Sequence, residues 1–234
     1  MKNWLGVEIG GTKQQIGVIA DNGEILKIVS ERVKLKRGAP DILDWMKEKI
    51  PPLAKEYGFE GIGVGFGGVL DTQRGASVCS VHVPGWKDFP IKAWFEEEFS
   101  RPCTVVNDTV CGGYAELLYG SGQGKRIFAY TNIGTGCGGS VFIEGKTFDG
   151  IGFGGAYFGQ VYVPDRKSGK SARMEKVCSG TGVMERLRRE GYIPASSSLY
   201  SNRDTVGFKE LCEAARKGDS FALQEVDEWA ESYS

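Results

Sequence analysis

Near the N-terminus the chain reads VEIGGTKQQIGVIADNGEIL over residues 7–26. Two apolar segments typical of β-strands are each followed by a turn. The second turn contains Asn22-Gly23, a common hairpin signal because both residue types tolerate positive φ. The first turn, residues 10–13, is Gly-Gly-Thr-Lys. Glycines let backbone N–H groups approach an anion, while threonine and lysine add a hydroxyl donor and a positive charge. This stretch therefore predicts a hairpin whose turn binds phosphate.

The same plan recurs at residues 129–148, AYTNIGTGCGGSVFIEGKTF. An apolar strand leads to Ile-Gly and a threonine-bearing turn, and the next strand ends in a tight turn at Glu144-Gly145. Two such units predict a duplicated domain and a clamp for phosphate groups, although each unit alone is also typical of an ordinary Gly-rich hairpin. The candidate phosphate-binding residues are Gly10, Gly11, Thr12 and Lys13 in the first turn and Gly134, Thr135 and Gly136 in the second.

Composition narrows the possible functions. The chain has 234 residues, enough for one large domain or two small ones, and carries 29 basic and 30 acidic residues. This balance argues against a dedicated nucleic-acid binder. The sequence shows no signal peptide and no apolar run of bilayer length, so we expect a cytoplasmic protein without a membrane partner. Its six cysteines form no C-x-x-C pair, which indicates neither a zinc site nor a disulfide framework.

Strand and helix signals alternate along the chain and predict an α/β fold. Pro51 and Pro52 are expected to break or kink the first helix. Helices are predicted over residues 41–58, 88–100 and 110–120. Three more are predicted from Ser179 to near Gly191, from Thr205 to Gly218, and from Asp219 or Ser220 onward.

The dipeptide Asn107-Asp108 ends an apolar strand, where α/β folds place reactive groups. A carboxylate at Asp108 can accept the proton of a substrate hydroxyl, and Asn107 can orient that hydroxyl. The alternative is that Asp108 only caps the helix that follows. The residues leave both interpretations open.

These motifs together resemble the ROK sugar kinases of the actin-like ATPase superfamily, and the resemblance covers nearly the whole chain. The matching segments are EIGGTK (8–13), GVGFGGVLD (63–71), VPGWKDFPIKAWFEEEFSRPCTVVND (83–108), GYAELLYGSGQG (113–124), TNIGTGCGGSVFIEGKTFDGIGFGGA (131–156) and EKVCSGTGV (175–183). No helix-turn-helix precedes them, so the repressor branch of the family is not expected.

The resemblance implies a duplicated, ribonuclease H-like fold with two lobes and a central cleft for sugar and nucleotide. Residues 1–118 would form a small lobe with the first phosphate hairpin and the catalytic strand. Residues 119–234 would form a larger lobe that lacks the C-terminal, adenosine-side element of the family. The resemblance further implies Asp108 as general base, Mg²⁺ with ATP, and a homodimer or higher homo-oligomer. ATP and polyphosphate both remain possible donors.

Several positions depart from the family pattern. Glu8 stands where the family carries aspartate near the phosphate and magnesium site. Tyr157 replaces the sugar-binding glutamate, and Gln160 replaces a histidine that is usually a zinc ligand. Residues 161–174 contain no cysteine, so no zinc is predicted, and their Lys and Arg residues indicate a solvated loop or an aid to an anionic ligand. His82 is either a sugar contact or a surface residue.

The candidate sugar-binding residues are Gly67, Gly68, Asn107, Tyr157 and Gln160, with Glu8 near magnesium. Three functions follow. The first is ATP-dependent phosphorylation of a hexose or hexose-derivative hydroxyl. The second is binding of sugar or nucleotide without turnover, which the changes at the sugar and zinc motif favour. The third is a scaffold with a vestigial cleft, against which the retained Asn-Asp pair and the two glycine-threonine turns argue.

Overall fold

The computed structural model describes residues 2–34, 36–80, 83–150 and 157–234. Its strands are β1 (Asn3–Ile9), β2 (Lys13–Ala20), β3 (Ile25–Arg32), β4 (Ile62–Phe66), β5 (Val69–Asp71), β6 (Ala76–Cys79), β7 (Cys103–Asn107), β8 (Ile127–Ile133), β9 (Cys137–Ile143), β10 (Lys146–Thr147), β11 (Tyr162–Asp165) and β12 (Lys170–Arg173). Its helices are α1 (Ala39–Tyr57), α2 (Ile91–Phe99), α3 (Asp108–Tyr119), α4 (Met174–Cys178), α5 (Gly180–Leu187), α6 (Phe208–Arg216) and α7 (Ser220–Tyr233). Short 3₁₀ turns cover Phe158–Gln160 and Tyr200–Asn202.

The largest sheet has the strand order β3-β2-β1-β4-β7. Strands β1, β2 and β3 are antiparallel neighbours, as the two tight turns between them require. Strands β1, β4 and β7 are parallel, with Ile9 paired with Phe66 and Phe66 paired with Asn107. The carboxyl ends of three neighbouring strands therefore lie at one edge of the sheet.

Alternation along the strands directs one face of this sheet into the core. Leu5, Val7 and Ile9 of β1 are almost fully buried, whereas Trp4 is exposed. Helix α1 covers that buried face with apolar residues at helical spacing, namely Ile42, Met46, Ile50 and Leu53. Helix α3 begins directly at the end of β7 and lies on the opposite face of the strands.

The expectation that Pro51 and Pro52 break α1 is wrong. The helix is continuous from Ala39 to Tyr57 with both prolines inside it. The buried side chains of Ile50 and Leu53 flank the prolines, so packing against the sheet outweighs the lost backbone hydrogen bonds. Neither α1 nor any other helix in the described part of the chain is long and apolar enough to cross a membrane.

The chain divides into two compact units. One contains Met1–Phe128 with Val141–Gly155, and the other contains Ala129–Ser140 with Ala156–Ser234. The second sheet has the order β10-β9-β8, which repeats the order β3-β2-β1 of the first and matches the predicted duplication. The lobe boundaries predicted from the sequence, 1–118 and 119–234, stay a prediction.

The C-terminal helices form around a second apolar core that includes Val183, Leu187 and Leu211. The helix predicted to run from Ser179 to near Gly191 ends at Leu187. The helix predicted from Thr205 begins later, at Phe208, because the N–H of Gly207 donates to Glu210 Oε2 (2.9 Å) and fixes the helix start there.

Of the two predicted starts of the last helix, Asp219 and Ser220, the second is confirmed: α7 begins at Ser220, with Asp219 as its N-cap. Asp219 Oδ1 accepts from the N–H of Ala222 (3.0 Å). Its Oδ2 accepts from the N–H of Ser198 (2.6 Å) and from the hydroxyl of Ser197 (3.0 Å). Partial burial opposes the charge, but these hydrogen bonds outweigh it and lower the pKa of Asp219 to about 2.

We expect Asp219→Ala to lower the free energy of unfolding by about 1–2 kcal/mol, because the cap and the bonds to the serine turn are lost together. The difference from wild type should be complete above the ordinary aspartate pKa of 3.8 and should shrink as the pH falls toward about 2. Urea unfolding at several pH values measures this. Asp227→Ala, an exposed change on the same helix, is the control. Equal midpoints for wild type and Asp219→Ala at pH 7 would contradict the prediction.

Candidate active site

The carboxyl edge of β1, β4 and β7 brings three chain segments together. Each strand passes into a loop or helix at the same level, because Ile9, Phe66 and Asn107 are in register. The N–H of Gly67 donates to Ile9 O (2.9 Å) and ties the loop after β4 to the end of β1. Groups that follow these three strands are therefore close in space although they are distant in sequence.

Asp108 is the first residue of α3, and Asn107 is the N-cap. The Asn107 side chain accepts from the N–H and the hydroxyl of Thr109 (3.0 and 2.6 Å). Its amide nitrogen donates to Phe66 O (3.3 Å) and Gly68 O (3.2 Å). Asp108 Oδ1 also accepts from the N–H of Thr109 (2.9 Å). The alternative that Asp108 caps the helix is therefore wrong, because Asn107 is the N-cap. The Asn107 amide also holds the loop after β4 in place.

Glycine at position 65 lets α3 approach β4 closely. A Cβ atom there would lie 3.1 Å from Cys111 Sγ and 3.5 Å from the Cα of Asp108. Glu8 pairs with Gly65 across the sheet. Burial of the sulfur, and then the negative charges of Asp108 and Glu8, raise the pKa of Cys111 to about 11. Two carboxylates therefore lie on the same face of the sheet, close enough to act on one thiol.

The loop after β4 is packed tightly around Asp108. A Cβ atom at Gly67 would lie 3.1 Å from Asp108 Oδ2 and 3.3 Å from Ile9 O. A Cβ atom at Gly68 would lie 2.6 Å from the Phe66 ring and 2.8 Å from the carbonyl oxygen of Cys79. The structure thus places Gly67 and Asn107, two predicted sugar contacts, beside the predicted base, and Gly68, a third, accepts from the Asn107 amide.

The first glycine turn lies at the same edge. The N–H of Gly10 donates to Lys13 O (3.2 Å) and closes the turn. A Cβ atom at Gly10 would lie only 2.6 Å from that oxygen, so this turn requires glycine. Gly11 is partly exposed, and Thr12 and Lys13 are exposed. The Cα of Gly10 lies 3.6 Å from the Cβ position of Gly67, which brings the predicted phosphate turn next to the loop that holds Asp108.

The second glycine turn belongs to the second unit and packs on the start of α5. The N–H of Gly134 donates to Gly136 O, and the N–H of Gly180 donates to Gly134 O (both 2.9 Å). Glu175 Oε2 accepts from the N–H of Cys137 (3.2 Å) and lies 2.6 Å from the Cβ position of Gly136. Glu175 was not among the predicted site residues. Its one signal in the sequence is that it is a single carboxylate between a basic segment and the motif CSGTG.

Comparison with known proteins identifies the family. The chain matches the sequence model of the ROK family over residues 4–233. This chain belongs to the ROK family. It is 30% identical over 227 residues to a glucokinase of Thermotoga maritima, covering 94% of this chain and 71% of that relative.

The fold agrees with solved ROK structures. A ROK family glucokinase from Streptomyces griseus in complex with glucose and AMPPNP is 26% identical, with a TM-score of 0.80, over 97% of this chain and 75% of that one. A ROK hexokinase from Thermus thermophilus is 28% identical, with a TM-score of 0.73, over 97% of this chain and 74% of that one. The predicted actin-like ATPase fold is thereby confirmed.

The segment predicted to depart from the ROK pattern at Tyr157 and Gln160 lies in the second unit. Tyr157 precedes the 3₁₀ turn Phe158–Gln160, and Gln160 is exposed. Arg173 Nη1 donates to Gln160 Oε1 (3.1 Å), so the Gln160 side chain has a partner within the protein. His82 and residues 151–156 lie outside the described residues, so the structure does not place them.

Residues 161–174 were expected to form a solvated loop or to assist an anionic ligand. Residues 162–173 form a largely exposed hairpin of two strands, β11 and β12, with Asp165 paired with Lys170 next to the turn, so the prediction of a loop is wrong. Assistance to an anionic ligand stays a prediction.

Proposed function

We propose that this ROK protein catalyses the ATP-dependent transfer of a phosphoryl group to a hydroxyl of a hexose or hexose derivative. The observation that carries the proposal is the position of Asp108. Its Oδ2 lies against the loop after β4, and that loop contacts the first phosphate turn. Base and phosphate site are thus adjacent, as phosphoryl transfer to a hydroxyl requires.

In this mechanism Asp108 accepts the proton of the sugar hydroxyl as the hydroxyl oxygen attacks the terminal phosphorus of ATP, and the bond from that phosphorus to the bridging oxygen breaks to release ADP. Asn107 holds the loop carbonyls of Phe66 and Gly68 and so keeps the edge of the pocket in place. Such a base is worth roughly 10²–10⁴-fold in rate. The remaining acceleration comes from positioning and from compensation of phosphate charge.

Backbone N–H groups of residues 11–13, the Thr12 hydroxyl and the Lys13 ammonium bind phosphate oxygens in the first unit. Gly134, Thr135 and Gly136 are the proposed phosphate-binding residues of the second unit. Glu8 and Asp108 fit Mg²⁺ because they are oxygen donors on one face of the sheet, and a bound Mg²⁺ would neutralise charge on the transferring phosphate.

The test of the proposed function is a coupled ADP-release assay over hexoses, N-acetylhexosamines and polyols, with ATP and polyphosphate as alternative donors. ATP-dependent turnover with at least one sugar is the expected result. One observation favours a second function, binding without turnover. Tyr157 replaces the family glutamate, and Gln160 is bonded to Arg173. Sugar or nucleotide that raises the melting temperature of the protein without any ADP release would establish that second function.

Thr12→Val is expected to weaken ATP and ADP binding about tenfold, because a hydroxyl donor to phosphate is lost at nearly constant volume. The fold should be unaffected, since Thr12 is exposed and contributes its backbone oxygen to the bond from the N–H of Val33 (2.9 Å). Calorimetric titration measures the affinity, and Thr147→Val is a control elsewhere in the chain. Equal nucleotide affinity for wild type and Thr12→Val would make this turn structural only.

A further inference from the structure

The β11–β12 hairpin connects two parts of the candidate site in the second unit. At its base, the N–H of Met174 donates to Val161 O (2.8 Å), and Arg173 donates to Gln160 Oε1. Gln160 directly precedes the hairpin, and Glu175, which supports the second glycine turn, directly follows it. Any displacement of the hairpin would therefore move both side chains.

The turn of this hairpin is held by ion pairs on α7. Lys167 Nζ lies 2.9 Å from Glu225 Oε1 and 2.7 Å from Glu228 Oε2. The neighbouring Arg166 forms a more exposed pair with Glu231 (2.9 Å). These three glutamates follow one another at a spacing of three residues, which keeps them close to one face of the helix.

The environment of Glu225 makes this contact more than a surface ion pair. Only 1% of the Glu225 side chain is exposed, and one third of the Lys167 side chain is. Glu225 also accepts from Tyr192 Oη (2.8 Å) and from Arg186 Nε (3.3 Å). Two carboxylates thus face two cations, and loss of Lys167 would leave a buried negative charge in excess.

The electrostatics agree with this geometry. Burial opposes the charge on Lys167, but its bonds to Glu228 and Glu225 outweigh burial and raise the Lys167 pKa. Burial likewise opposes the charge on Glu228, but the bonds from Lys167 and Gln224 and the positive charges of Lys167 and Arg186 together outweigh burial and lower the Glu228 pKa. Helix α7 is itself anchored, because Trp229 Nε1 donates to Cys178 O (2.8 Å).

We propose that Lys167 is a positioning residue. By bridging Glu225 and Glu228 it holds the β11–β12 hairpin on α7 and thereby fixes Gln160 and Glu175 at the two ends of the hairpin. The hairpin is short, and a two-stranded hairpin of this size is marginally stable by itself. Its order therefore depends on the ion pairs at its turn.

The test compares Lys167→Met with Lys170→Met, a change of the same chemistry at an exposed position of the same hairpin. Hydrogen exchange followed by mass spectrometry reads out residues 158–161 and 162–173 without any need for activity. We expect exchange in both segments to accelerate about tenfold or more in Lys167→Met and to stay near wild type in Lys170→Met. Lys167→Arg should restore protection, because it keeps the positive charge.

Salt provides a second measurement on the unaltered chain. Raising the ionic strength from about 0.1 M to about 1 M shortens the Debye length from about 10 Å to about 3 Å. Salt should accelerate exchange in the hairpin of wild type, but by less than the Lys167→Met substitution does, because the Lys167 pairs are partly buried and are screened less than exposed pairs. Equal exchange in wild type and Lys167→Met, or acceleration spread evenly over the whole chain, would overturn the proposal.

A kinetic measurement rests on the proposed function. If sugar phosphorylation is observed, Lys167→Met should raise the KM for sugar several-fold with a smaller change in kcat, because Gln160 and Glu175 are misplaced while Asp108 is untouched. An unchanged KM with a loosened hairpin would overturn the positioning role. If the protein shows no turnover, the exchange measurement still decides whether Lys167 holds the hairpin.

Discussion

Asp108→Asn should lower the turnover of the proposed sugar kinase about 10²-fold or more, while sugar affinity changes little. Asparagine keeps the shape of the side chain and an oxygen that can accept from the N–H of Thr109, so α3 should still begin at residue 108. What it lacks is a group that accepts a proton at neutral pH. Steady-state ADP release measures the rate, and titration with sugar measures the affinity.

Glu116→Gln is the matched control for this change. Glu116 lies on the same helix, and its carboxylate accepts from Ser121 (3.0 Å) at the far end of α3. The Glu116→Gln substitution removes one negative charge without changing any residue at the strand edge, so turnover should stay near wild type. A rate within twofold of wild type for Asp108→Asn would show that Asp108 is not the base and that its role is confined to the start of the helix.

Gly68→Ala should destabilise the protein by about 1–3 kcal/mol, because the new Cβ atom has no room. It would lie 2.6 Å from the Phe66 ring and 2.8 Å from Cys79 O, and the second of these is a backbone atom that cannot rotate away. The loop must then shift, and the bond from Asn107 Nδ2 to Gly68 O shifts with it. We therefore expect sugar affinity and turnover to fall together with stability.

Gly63→Ala on β4, the strand that leads into this loop, is the control, because a Cβ atom there meets nothing within 4 Å. The free energy of unfolding of Gly63→Ala should lie within about 0.5 kcal/mol of wild type or slightly above it, since alanine reduces the conformational freedom of the unfolded chain. Guanidinium unfolding of the three proteins measures both effects. Equal loss of stability in the two variants would show that the close approach at residue 68 is not what requires glycine.

Local signals determined the parts of this protein that depend on neighbours in sequence. The turn at residues 10–13 requires glycine because the carbonyl oxygen of Lys13 leaves no room for a Cβ atom at Gly10. The start of α7 after Asp219 follows from a side chain that accepts from the N–H of Ala222 within one helical turn. The adjacency of Asn107 and Asp108 at a strand end was likewise readable from the sequence. Each of these features is fixed within a few residues.

Tertiary structure decided the rest, because the energies involved come from residues distant in sequence. Packing of α1 on the sheet keeps that helix continuous through Pro51 and Pro52. Parallel pairing of β1, β4 and β7 brings Glu8 and Asp108 to one face, and Asn107 takes the cap because the carbonyls of the β4 loop hold its amide. The hairpin at residues 162–173 looked like a solvated basic segment, since its partners on α7 lie more than fifty residues further along the chain. A buried carboxylate such as Glu225 is stable only beside its cations, and only the folded chain brings them together.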